Sequence, residues 1–169
     1  GGGNSESGSA IALDASGAAV IVGETYSTDF PTTPGAYDTS FNGNDDVFVA
    51  TLSADGSRLF SGTFLGGIKN EDGTAVALND SDAAVVMGAT DSPDFPTTKG
   101  AYDTSLNGSW DAFVAKLSAD GSSLLSGTFL GGSNFDGSTV AVLDASGAAV
   151  AVGSTESPDF PTTPDAYDT

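Results

Sequence analysis

The chain of 169 residues contains no cysteine and no histidine. The first absence excludes a disulfide framework and thiolate metal sites. The second excludes histidine general bases, Ser-His-Asp arrangements and imidazole metal centres. Basic residues are scarce: four Lys and Arg stand against 23 Asp and Glu, for a formal net charge of −19. A field of that sign repels phosphate backbones and anionic lipid surfaces, which argues against nucleic acid as a partner. No apolar run approaches the roughly 20 residues that a membrane-spanning helix needs, so no membrane insertion is expected. No leader-like segment opens the sequence, as in a mature secreted chain. Acidic, poor in Lys and rich in Gly, Ser, Thr and Asp, the composition suits an extracellular or cell-surface protein of a prokaryote. Dense carboxylates would keep such a protein soluble in a salty habitat.

What the sequence does have is a repeat. Phe30-Pro31-Thr32-Thr33, Phe95-Pro96-Thr97-Thr98 and Phe160-Pro161-Thr162-Thr163 recur every 65 residues, without insertion or deletion. Ser61-Gly62-Thr63-Phe64-Leu65 and Ser126-Gly127-Thr128-Phe129-Leu130 keep the same register. The chain divides into units 1–65 and 66–130 and a partial third unit 131–169, about 2.6 copies in all. A fixed period of this size signals a repeat architecture in which each unit buries apolar surface against its neighbours.

Each copy reads as two β-hairpins, with strands in the first near 9–14, 18–25, 45–53 and 58–65. Short β-branched and aromatic runs are separated by Asp14-Ala15-Ser16-Gly17 and Ser53-Ala54-Asp55-Gly56-Ser57, whose Gly supplies the positive φ of a tight turn. Asp82 replaces that turn glycine in the second copy, a conformation that Asp tolerates better than most residues. The second strand does not alternate: Ala84-Val85-Val86-Met87 and Ala149-Val150-Ala151-Val152 are continuously apolar, which demands cover on both faces. The expected fold is therefore all-β, an array of four-stranded antiparallel units stacked face to face like propeller blades, with an open last half-unit. The apolar runs are expected to be core. The loop from Ser27 to Thr39 carries two prolines, and Phe30 and Tyr37 are expected to pin it to the adjacent sheet.

The ordered motifs Leu13-Asp14-Ala15-Ser16-Gly17, Asp29-Phe30-Pro31-Thr32-Thr33, Asp111-Ala112-Phe113-Val114-Ala115-Lys116-Leu117 and Leu130-Gly131-Gly132 resemble the bacterial and archaeal SBBP repeat, the "seven-bladed beta-propeller" repeat. The resemblance runs over essentially the whole chain. It implies secreted or cell-surface propeller-like units, and it implies no particular reaction and no catalytic residue.

Closed propellers have about 4–8 blades, so this stretch alone does not close a ring. It belongs to a longer array, or completes a ring with other copies of itself, or stacks head to tail into a filament. The third unit, with Val142, Leu143, Val150 and Val152, lacks two covering strands and is the expected assembly interface.

Oxygen-rich loops gather acids at Asp45, Asp46, Asp72, Asp111 and Asp136. Such loops suit Ca²⁺, although the spaced ligand pattern of a dedicated calcium loop is absent, and the same residues serve ordinary turns. The acids are expected to follow the repeat, leaving no single asymmetric constellation for acid–base catalysis. Asn79-Asp80-Ser81 and Asn107-Gly108-Ser109 permit N-glycosylation at Asn79 and Asn107. The leading expectation is a non-enzymatic structural or adhesive module that requires no cofactor. The alternative is a carbohydrate- or Ca²⁺-dependent recognition module that uses the Phe-Pro-Thr-Thr loops or Trp110.

Overall fold

The computed structural model describes residues 1–167, and every regular element among them is a β-strand. The first sheet orders β1 (Glu6–Leu13), β2 (Ala19–Thr25), β3 (Asp46–Leu52) and β4 (Leu59–Leu65) as consecutive antiparallel neighbours. The second repeats this with β5 (Glu71–Leu78), β6 (Ala84–Thr90), β7 (Asp111–Leu117) and β8 (Leu124–Leu130). A two-stranded sheet of β9 (Asp136–Leu143) and β10 (Ala149–Thr155) follows. The described strands form an open series with no closed barrel or ring.

Three of the expected strands match within a residue or two. The first begins earlier, at Glu6, because the polar segment Glu6-Ser7-Gly8 pairs with Gly23-Glu24-Thr25. Apolar periodicity could not mark those residues, since their pairing is set by hydrogen bonds and not by burial. Asp14 fixes the turn that follows: its Oδ1 accepts from the Ser16 amide at 2.8 Å, the Ser16 hydroxyl at 2.7 Å and the Ala18 amide at 2.8 Å. Asn79 and Asp144 do the same in the other copies. Asp82 takes the left-handed position there with φ of 58°, against 82° at Gly17 and 80° at Gly147.

The sheets stack through their first strands: β5 lies against β1, β2 and β3, and β9 against β5, β6 and β7. Between the two complete sheets Val22, Val47, Val86, Leu65, Phe113 and Phe129 form one apolar cluster. Every residue of β6 is buried, whereas every residue of β10 is exposed. The apolar runs are therefore core only where a neighbouring sheet covers them. Val142, Val150 and Val152 depart from that expectation and stand more than half exposed, as do Ile11 and Leu13 at the other end; Leu143 is half-buried.

The proline-bearing loop lies along the outer strand of its own sheet. Thr33 N–H donates to the Gly62 carbonyl at 3.0 Å and Gly62 N–H returns to the Thr33 hydroxyl at 3.2 Å. Further along, Phe64 N–H donates to the Asp38 carbonyl at 3.0 Å. Pro31 O sits so close that a Cβ on Gly62 would lie 2.4 Å from it, which makes glycine obligatory at this crossing. Phe30 stacks on Phe48 with centroids 4.6 Å apart, and Phe95 on Phe113 at 4.4 Å, so the aromatic pins act as expected. Tyr37 N–H reaches the Gly121 carbonyl of the next unit at 2.8 Å.

Candidate functional site

The inter-unit connections carry the chemistry. Each begins Gly-Gly and is tied to the loop of the following hairpin. In the second unit, Ile68 N–H donates to Asp94 Oδ1 at 3.0 Å and Lys69 N–H to Ser92 Oγ at 2.8 Å. The third repeats this with Ser133 on Asp159 and Asn134 on Ser157. Each connection delivers an acid into the junction at the first residue of the next strand. Glu71 accepts from Gly67 N–H at 3.0 Å and Thr90 Oγ1–H at 2.7 Å. Asp136 accepts through Oδ2 from Gly132 N–H and Ser157 Oγ–H, both at 2.7 Å.

A second acid arrives from the preceding unit, at the start of its third strand. Asp46 Oδ2 accepts from Asn42 N–H at 2.8 Å, and Asp111 Oδ2 from Asn107 N–H at 2.8 Å. Asp46, Glu71, Asp111 and Asp136 all have 0% of their surface exposed. Burial pushes the Asp46 carboxyl up to about 6 and that of Glu71 up to about 7, against the backbone amides and hydroxyls that favour the charged forms. Burial also raises Asp111.

A different group of acids lies at the first junction only. Glu24, Asp45 and Asp72 each bring a carboxylate oxygen within 4.8 Å of the others. Burial, then the hydrogen bond and charge of Asp72, raise Glu24 to about 7. Asp45 is raised by burial, while the Tyr26 hydroxyl and the Glu71 amide oppose the shift. Its hydrogen bond to Asp45 raises Tyr26 to about 12. One register later Ala89, Trp110 and Gly137 hold these three positions, so the cluster has no copy. The expectation that the acids simply follow the repeat fails here, because spatial neighbours drawn from two units need not repeat together.

The structure divides the five acids singled out in the sequence. Asp46, Asp111 and Asp136 enter the buried junctions, while Asp45 and the exposed Asp72 belong to the asymmetric cluster. Two participants were missed. Glu71, not Asp72, is the register equivalent of Asp136, as counting 65 residues back shows. Glu24 sits at the end of an apolar strand, where only comparison with Ala89 and Ser154 marks it as different. Asn79 is half-buried and spends its Oδ1 on the turn. Asn107 is exposed, and its Nδ2 donates to Asp103 Oδ2 at 2.5 Å. Asn42, outside any sequon, makes the same contact to Asp38 at 2.7 Å. Trp110 is half-buried and bridges to Phe135 across the second junction.

A scan against protein-family models finds no match, and a search of curated proteins finds none.

Proposed function

We propose that this chain is a non-enzymatic structural module of an extracellular or cell-surface protein, built from SBBP-type repeats, that associates with further copies into a ring or filament. The observation that carries the reading is the repeated stacking contact. β5 on the first sheet and β9 on the second use the same side of the unit, and the third sheet leaves its receiving side open. Val150 and Val152 are 51% and 65% exposed there. The first unit of another copy, led by β1 with Ile11 and Leu13 in water, would supply the cover. Because the two surfaces differ, the contact is heterologous and propagates.

Light scattering on the full chain tests this. Wild type should form oligomers that grow with concentration, and Val150→Asp should leave a folded monomer. A wild-type monomer at high concentration, indifferent to that substitution, would refute assembly as the function.

A Ca²⁺-dependent recognition role, with or without a glycan, is a second reading favoured by the Glu24, Asp45 and Asp72 cluster at the half-exposed first junction. Glycan binding that requires calcium and disappears in Glu24→Gln would support it over the structural reading.

A further inference from the structure

The buried acids at the junctions have no place in an ordinary β-stack. Asp46 and Glu71 come from different units and meet at Gly66: the point where a Gly66 Cβ would stand is 2.6 Å from Asp46 Oδ1 and 2.5 Å from Glu71 Oε2. Asp46 Oδ1 and Glu71 Oε2 thus flank the same point, and Asp46 Oδ1 is buried with no hydrogen-bond partner. At the second junction Asp136 Oδ1 is likewise buried and unpartnered, with Asp111 close enough to feel its charge. Among the described residues each junction has one orphaned carboxylate oxygen beside a second buried acid, on the third-strand acid Asp46 at the first and on the first-strand acid Asp136 at the second. A lone pair of this kind, left without a partner in a low-dielectric interior, is destabilising, the more so on a charged group.

The geometry points to one buried divalent cation at each junction, held between Asp46 and Glu71 at the first and between Asp111 and Asp136 at the second. Two carboxylates balance the charge of one such ion. All-oxygen donors select a hard cation. Ca²⁺ fits better than Mg²⁺, which gives up its waters reluctantly and would need to shed them in so closed a place. The surrounding charges do not supply an alternative counter-ion. The groups acting on Asp46, Glu71 and Asp111 are backbone amides, hydroxyls and carboxylates, Asp38, Asp45 and Asp103 among them. Gly132 N–H and the Ser157 hydroxyl both occupy Asp136 Oδ2 and leave Oδ1 free, whereas Gly67 N–H and the Thr90 hydroxyl fix Glu71 through Oε2 and Oε1, each of which keeps a lone pair for an ion. This site differs from the Glu24, Asp45 and Asp72 cluster in residues, in burial and in being repeated.

Trp110, adjacent to Asp111 and bridged to Phe135 beside Asp136, provides a local reporter. Terbium should bind the full chain and emit when excited through Trp110, and Ca²⁺ should displace it. Asp136→Asn, or Asp111→Asn, should abolish that emission. Glu71→Gln should leave it intact while reducing the calcium stoichiometry by one, and Glu24→Gln should not change either junction. Calcium should raise the melting temperature of wild type by mass action and have no such effect on Glu71→Gln/Asp136→Asn. Wild type that shows no calcium-displaceable emission through Trp110 would overturn the inference without recourse to any variant. So would a calcium response that survives in Glu71→Gln/Asp136→Asn, or one removed by Glu24→Gln alone. If acid pH stabilises wild type and calcium does not, the pairs hold a proton and the inference is wrong.

Discussion

Asp82 carries, in one residue, a conformational penalty that its counterparts avoid. An L-residue in the left-handed region is disfavoured by roughly 1–2 kcal/mol, somewhat less for Asp, while glycine loses more chain entropy on folding. Asp82→Gly should therefore be neutral or stabilising by up to about 1 kcal/mol, and Gly17→Ala, forced into φ of 82°, destabilising by about as much. Urea denaturation of the two variants checks the opposite signs. The acids make a second residue-scale prediction. Glu71, raised from its ordinary value to about 7, and Asp46, raised to about 6, bind protons more tightly folded than unfolded. Their contribution is fully present below about pH 4 and is lost as pH rises through 6 and 7. In chelator, the melting temperature should thus fall between pH 5 and pH 8, and Glu71→Gln should flatten the fall. Asp55 and Asp120 work the other way: the hydroxyls of Ser53 and Ser118 lead in lowering them to about 2, so their turns weaken only in strong acid. The turn chemistry was legible because Asp, Ser and Gly at fixed offsets mean the same thing in any β-protein. Burial of Asp46 and Glu71 was not, since an acid before an apolar strand reads as solvated until the next unit is laid over it.

At the scale of the element, strands in the same register meet different fates. β6 and β10 share the motif of Ala and Val, but one is sealed between sheets and the other faces water. The energetic contrast is measurable. Phe113→Ala should cost about 3–5 kcal/mol, because Phe113 is fully buried beneath Phe95. In dilute, unassociated chain Val150→Ala should cost less than about 0.5 kcal/mol, its half-exposed side chain having little buried surface to lose. Chemical denaturation reads both, and equal losses would mean that the third unit is packed in solution. The hairpins and their order were legible from runs and turns, since strand period and turn residues are local properties. Where the Pro-rich loop goes was not. Nothing in Phe30-Pro31-Thr32-Thr33 names Gly62 as its partner, and the link is made only by the pleat of β4 meeting a loop that returns to it.

The whole molecule combines stacking surfaces with a net charge of −19, and these oppose one another. The screening length is about 30 Å in dilute salt and about 8 Å at physiological ionic strength. Association through the third unit should accordingly strengthen with added sodium chloride, read as rising scattered intensity at constant protein concentration. Weakening with salt would mean that charge complementarity, not apolar cover, drives the contact. The outer strands β4 and β8 already have a loop bonded along their far sides, at Gly62 and Gly127, whereas among the described residues no strand pairs with the far side of β10. A loop along β4 and β8 spares those two edges from pairing with another chain, so copies that add through the stacking faces lengthen the particle without thickening it on that side. A fibre built through those faces alone would keep the girth of a single thread.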